Sequence, residues 1–242
     1  MDLEDIHGII MNRKKISRIM KELNLRTKTR KQNPYKQKIK DTAEKFYCEN
    51  ILQREFKNKL PYKALGIDIT YLKYNKRFAY LCVLLDVKTT EVISYALSQT
   101  MTKELALGTI ESGIEKIKRN KYSTIIHSDR GSQFTSKDYR DLLLEYGLTQ
   151  SMSAPASPRD NAVIESFLGH LKDEICLKGL KTFEQVIQVI DDYMYYYNNE
   201  RRQWNKSKMT PVEYRKFLLA SYLSTFWGTV HCMWSLLYMS SN

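Results

Sequence analysis

Three runs of apolar, β-branched and aromatic residues stand at 62–74, 77–87 and 91–98, separated by short polar turns. Strands of that length joined so tightly predict an antiparallel meander. Beyond them the apolar period changes. Leu105, Ile110, Ile114 and Ile117 recur at helical spacing within 102–119. A short apolar strand is predicted at 123–128, then a helix over 136–147 closed by Gly147, then a strand at 148–153. Two more helices are predicted at 160–176 and 182–198. The order βββαβαβα predicts an α/β fold, a mixed five-stranded sheet flanked by helices.

Upstream of the meander the texture is different. Between Asn12 and Lys40 there are twelve Lys or Arg residues against one acid, Glu22. Its first part predicts a short helix with Asn12 as N-cap and Ile16, Ile19, Met20 and Leu23 along one stripe. Arg13, Lys14, Lys15, Arg18 and Lys21 supply its basic surface and are candidate phosphate contacts. The apolar stripe is suited to packing on a partner helix. After Leu25 the periodicity stops and a basic linker follows, broken by Pro34.

That segment accounts for nearly all of the net charge of +12 on 242 residues. Such a surplus points to a polyanionic partner, foremost nucleic acid, and away from the chemistry of small neutral metabolites. Cys48, Cys82, Cys176 and Cys232 are far apart and form no CxxC pair, which excludes a dense disulfide scaffold and common zinc-finger spacings. They read as reduced, mostly buried thiols, and with no secretory signal at the start the cytoplasm is the expected location. Residues 217–239 are apolar and long enough to span a bilayer, but Ser221, Ser224, Thr225, Gly228, Thr229 and Ser235 dilute them, and no membrane role is expected.

Three acids stand where an acid is costly without a task. Asp68 interrupts the apolar strand LGIDITYL, Asp129 follows the strand TIIHS, and Glu165 lies among Val163, Ile164 and Phe167 on a helix. Spacing does not single them out: the 35 residues between Asp129 and Glu165 also separate Asp68 from Glu104 and Asp138 from Glu174. Context does, because Glu104 and Asp138 fall near helix starts, where an acid favours the macrodipole. Three converging carboxylates repel one another unless cations neutralise them, and oxygen-only ligands suit Mg²⁺ or Mn²⁺ rather than zinc. Two such ions serve an in-line phosphoryl displacement. Asp86 reads as structural at a strand end, and His127 as a strand-end hydrogen-bonding residue. Asp160 and Asn161 read as the N-cap region of the Glu165 helix. The cluster Tyr193, Tyr195, Tyr196 and Tyr197 reads as packing.

At these residues the chain resembles the DDE transposases of bacterial insertion sequences, which carry a retroviral-integrase-type catalytic core. The matching pieces are DITYL at Asp68, YLCVLLDV with Asp86, HSDRGSQFTS at Asp129, SMSAPASPRDNAVIESFLGHLKDE at Glu165, and YYNNERRQWNKSKMTPVEY near the end. The resemblance runs from about residue 8 to 220. It implies a ribonuclease H-like core, Asp68, Asp129 and Glu165 as the metal-binding catalytic triad with two ions, and Lys172 as a DNA contact seven positions after the glutamate. Two helical turns put Lys172 on the flank of Glu165. It further implies metal-dependent cleavage at element ends, strand transfer into target DNA, at least a dimer on DNA, and an upstream-frame DNA-binding partner. Leu65 stands where the family usually has Trp, and only the second half of the family's N-terminal helix-turn-helix-like region is matched.

The expected organisation is a partial helix-turn-helix-like region at 1–25, a basic linker at 26–60, the catalytic core at 61–200, a helical segment at 201–220 and an apolar tail at 221–242. The alternative functions are a catalytically inactive DNA-binding remnant and a nuclease of RNA–DNA hybrids.

Overall fold

The computed structural model describes residues 8, 10–25, 47–53, 60–118, 123–154 and 158–222. Most of the basic linker and the tail from residue 223 lie outside the described residues, as does Cys232.

The predicted meander is present as β1 (Ala64–Tyr74), β2 (Arg77–Asp86) and β3 (Val92–Ser98), each antiparallel to the next. Asn75 and Lys76 turn β1 into β2 with φ of 37° and 62°. Two central residues with positive φ match the twist of a tight hairpin. After α2 (Lys103–Lys118), β4 (Ile125–Ser128) joins the other edge of β1 in parallel, and after α3 (Lys137–Glu145), β5 (Thr149–Met152) extends the sheet. The order is β3-β2-β1-β4-β5. Ser136 caps α3, and Gly147, at φ 66°, closes it by donating its N–H to the Leu144 carbonyl at 3.0 Å.

One face of the sheet, with Leu65, Ile67, Cys82 and Leu84, packs on Ile110 and Ile114 of α2 and on Tyr139 and Leu143 of α3. The other, with Leu72, Leu81, Val83 and Leu85, packs on α4 (Ala162–Glu174) and α5 (Phe183–Asn199) through Ile164, Phe167, Leu171, Val186 and Ile190. Helices on both faces explain why β2 is buried almost throughout. A one-turn 3₁₀ segment, Pro158–Asn161, leads into α4, so the helix predicted from residue 160 begins two residues later.

Beyond α5 the chain returns to the β2–β3 turn. Asp86, fully buried, accepts the N–H groups of Tyr62, Lys88 and Thr89. Burial pushes its carboxyl up to about 6 against the pull of those donors. Lys206, also buried, donates to the Lys88 carbonyl at 2.7 Å, and burial brings its ammonium down to about 8. From the last described helix, α6 (residues 211–222), Arg215 pairs with buried Glu91. The Tyr cluster divides. Tyr193 and Tyr197 are buried in the α4–α5 core, whereas Tyr195 and Tyr196 are exposed.

The N-terminal helix α1 (Arg13–Glu22) forms as predicted, with the Asn12 side chain accepting the Lys15 N–H at 2.8 Å. None of its residues is buried, so its apolar stripe is not covered among the described residues. The expectation of mostly buried thiols also needs correction. Of the three described, Cys82 is buried, Cys48 is half-buried and Cys176 is exposed, because Cys176 falls just past the end of α4 rather than on its packed face.

Candidate active site

The parallel pairing of β1 with β4 sets the site. Ala64, Leu65 and Gly66 pair with Ile125, Ile126 and His127. Asp68 stands two residues beyond Gly66 on β1, and Asp129 two residues beyond His127, just past the end of β4. Alternation along β1 gives Asp68 the face of Gly66. That is the face covered by α4, because a Cβ at Gly66 would lie 3.6 Å from Cβ of Ile164. Glu165 is the next residue on that helix, exposed in its first turn.

Each aspartate is oriented by its own backbone. Asp68, half-buried, accepts the Ile69 N–H at 2.8 Å, and Asp129, exposed, accepts the Gly131 N–H at 2.8 Å. A Cβ at residue 131 would meet that Asp129 oxygen at 3.0 Å, so glycine lets the loop fold round the carboxylate. Among the described residues, no three His, Cys, Asp or Glu side chains are gathered closely enough to hold a metal ion as they stand. The donor chemistry of Asp68, Asp129 and Glu165 nonetheless fits a hard divalent cation, since all three offer only carboxylate oxygens.

Beneath Asp129 the strand end is held by His127, which is 1% exposed. Ser151 Oγ accepts the N–H groups of Ile51 and Leu52 at 3.0 and 3.3 Å, so its own proton goes to His127 Nδ1 at 2.9 Å. That fixes the neutral tautomer with hydrogen on Nε2, which donates to Ser153 Oγ at 3.2 Å. Ser153 in turn donates to the Ser128 carbonyl at 3.3 Å, and its own carbonyl accepts Arg130 Nε at 2.9 Å. Burial brings the imidazole down to about 4, with Asp160 pulling weakly the other way. His127 is thus a neutral strut, as its strand-end position predicts.

Asp160 does not cap α4. Its carboxylate accepts Asn50 Nδ2 at 2.9 Å and the Ala154 N–H at 3.1 Å, joining the segment before β1 to the loop after β5. Asn161 holds the N-cap position but makes no side-chain cap bond. Partners 110 and 6 residues away leave no periodic trace in a sequence, which is why that role was not legible.

Lys172 lies two turns beyond Glu165 on α4, its ammonium 4.7 Å from the centre of the Tyr71 ring. Tyr71 meets Phe78 edge to face at 5.7 Å. Both rings are exposed, and sequence reading passed them over because alternation in a strand does not tell how far the flanking helices reach. Arg13, Lys14, Lys15, Arg18 and Lys21 are all exposed on α1, with Arg18 and Glu22 3.6 Å apart in a surface pair.

A five-stranded sheet of this order with helices on both faces is the architecture of an integrase-type catalytic core, and the comparisons agree. The integrase core domain family matches residues 59–158, and a second integrase core domain family matches 165–219. The putative transposase InsK of insertion element IS150 from Escherichia coli K12 is 32% identical over 211 residues, covering 86% of this chain and 72% of that protein. A transposase-like protein of Haemophilus influenzae is 35% identical, covering 86% and 94%. The integrase fold of a simian T-cell lymphotropic virus intasome superposes with a TM-score of 0.54 at 15% identity, over 88% of this chain and 73% of that one. The chain belongs to the transposases of bacterial insertion sequences that carry an integrase core domain.

Proposed function

We propose that this chain is the catalytic subunit that cuts DNA at the ends of an insertion element and joins the freed 3′-OH to target DNA, with Asp68, Asp129 and Glu165 holding two Mg²⁺ or Mn²⁺ ions. The observation that supports this reading is the β1–β4 pairing, since Asp68 and Asp129 each follow two residues after a paired position, Gly66 and His127, and α4 lies over the Gly66 face. When bound, divalent ions in such a site activate a hydroxyl nucleophile and stabilise the leaving oxygen of an in-line displacement.

The chain's own residues do the positioning. Asp68 rides on the central strand and Asp129 on a loop tied by Gly131 and the His127 strut, so two of the three carboxylates are held by backbone rather than by flexible stems. Glu165 reaches the site from the first turn of α4. Lys172, farther along the same helix, neutralises a DNA phosphate beside the reacting one. The exposed cations of α1 add affinity that is independent of base sequence. Synapsis of two ends requires at least two copies of the chain on DNA, and an upstream-frame DNA-binding protein is the proposed reader of the end sequence.

Strand joining tests the reading. A labelled oligonucleotide ending in a 3′-OH is incubated with plasmid, protein and Mn²⁺. Label covalently joined to plasmid is expected, and bound but unjoined oligonucleotide contradicts catalysis by this chain.

A further inference from the structure

The pairing of β4 with β1 stops at Gly66, so among the described residues one edge of β1 from Asp68 to Tyr74 has no strand beside it. Along that edge, between the β1–β2 hairpin and the connection from α4 to α5, runs a cleft of about 590 Å³. Four lysines line it, Lys73, Lys76, Lys172 and Lys178, and no acid does. Tyr71 stands at its wall, 54% exposed, with Phe78 beside it at 45%. The two rings meet edge to face at 85°, and Lys172 Nζ lies 4.7 Å from the centre of the Tyr71 ring. Lys76 occupies the hairpin tip at φ 62°, a left-handed conformation that glycine would adopt freely. A lysine there sets a cation at the mouth of the cleft.

An exposed aromatic ring set among lysines in a groove free of acids, with a second exposed ring just outside it, matches the chemistry of single-stranded nucleic acid, whose bases stack on rings while its phosphates meet ammonium groups. Tyr71 is three residues from Asp68 along β1, about 10 Å. We propose that this cleft binds the unpaired strand of a DNA end, with Tyr71 and Phe78 stacking its bases and Lys73, Lys76 and Lys178 holding its phosphates. The inference rests on the reading of the chain as an enzyme of DNA ends, and goes beyond the Lys172 contact by assigning a base-stacking platform and a preference for frayed over blunt ends.

The test uses the full chain in EDTA with a forked DNA end that carries 2-aminopurine as an unpaired base near the junction, beside the same DNA fully paired. Binding of the fork is expected to quench the probe several-fold. Tyr71→Leu is expected to abolish the quench and weaken fork binding about 10-fold while leaving the paired end within 2-fold, whereas Tyr71→Phe keeps both. If Tyr71→Leu loses its circular dichroism, Phe78→Leu and the triple change of Lys73, Lys76 and Lys178 to Ala carry the test: the first is expected to reduce the quench, the second to weaken the fork at least 10-fold. Equal loss on forked and paired DNA, or no quench in the wild type, overturns the proposal. Nicking of supercoiled DNA by the same preparation separates the two failures. Metal-dependent nicking without quench sinks the platform alone, while absence of nicking by DNA-bound protein sinks the catalytic reading.

Discussion

Gly66 of β1 faces Ile164 of α4, whose Cβ stands 3.6 Å from where a Cβ would be at residue 66. An alanine at 66 fits ordinary contact. Gly66→Ala is therefore expected to change stability by less than about 1 kcal/mol, whereas Gly66→Leu overpacks the interface and costs roughly 1–3 kcal/mol. Urea unfolding midpoints check both. Nicking is expected to survive the first and fall at least 10-fold in the second.

The buried His127 gives the fold a dependence on pH. Its folded value of about 4 lies below the ordinary 6.5, so its contribution is whole above pH 6.5 and is lost as pH falls towards 4. Full loss is on the order of 3 kcal/mol. Asp86 acts in the opposite sense. Raised to about 6, it makes the fold less stable as pH rises from about 4 to 6. The comparison is therefore made with His127→Gln, in which Asp86 is unchanged. The wild type is expected to lose its advantage over that variant between pH 6.5 and 4; a constant difference would contradict the neutral strut.

How much of this was legible in the sequence depends on the range of the interaction. The meander, both parallel strands and α2 through α5 follow from local periodicity, and the turn at Gly147 from one residue. Asp68 betrays itself as a charge inside an apolar strand. The parallel pairing of β1 with β4 does not show itself, because register depends on contacts 61 residues apart that leave no local pattern. The same holds for Asp160 with Asn50, and for the buried Lys206, whose partner is a backbone carbonyl 118 residues away. The N-terminal helix is the converse case. Its apolar stripe is plain in the sequence, yet burial is a property of what covers a stripe, not of the stripe.

The C-terminal helix is fastened to the sheet by the pair of Arg215 with Glu91, whose side chain is 5% exposed. Arg215→Met leaves a buried carboxylate without its partner and is expected to cost about 3 kcal/mol. Adding Glu91→Gln is expected to restore at least half of that. Thermal or urea unfolding of the two variants checks the order; additive losses would show that the pair is not coupled.

The five cations of α1 make a prediction about salt. Each phosphate contact removed lowers the slope of log K against log salt by about 0.9. Replacing Arg13, Lys14, Lys15, Arg18 and Lys21 by Ala is expected to flatten the slope of DNA binding by several units and to weaken duplexes of different sequence alike. Fluorescence anisotropy between 50 and 300 mM salt reads it. An unchanged slope would remove α1 from the DNA-binding surface.

The most direct measurement is nicking of supercoiled plasmid with Mg²⁺ or Mn²⁺ by the wild type, Glu165→Gln and Asp129→Asn, each shown to bind DNA. A working carboxylate site predicts nicking that needs the metal and falls at least about 100-fold in both variants, as expected when a group that stabilises the transition state is removed. Equal nicking by all three, or none by DNA-bound wild type, would contradict the assignment of Asp68, Asp129 and Glu165 as the catalytic centre.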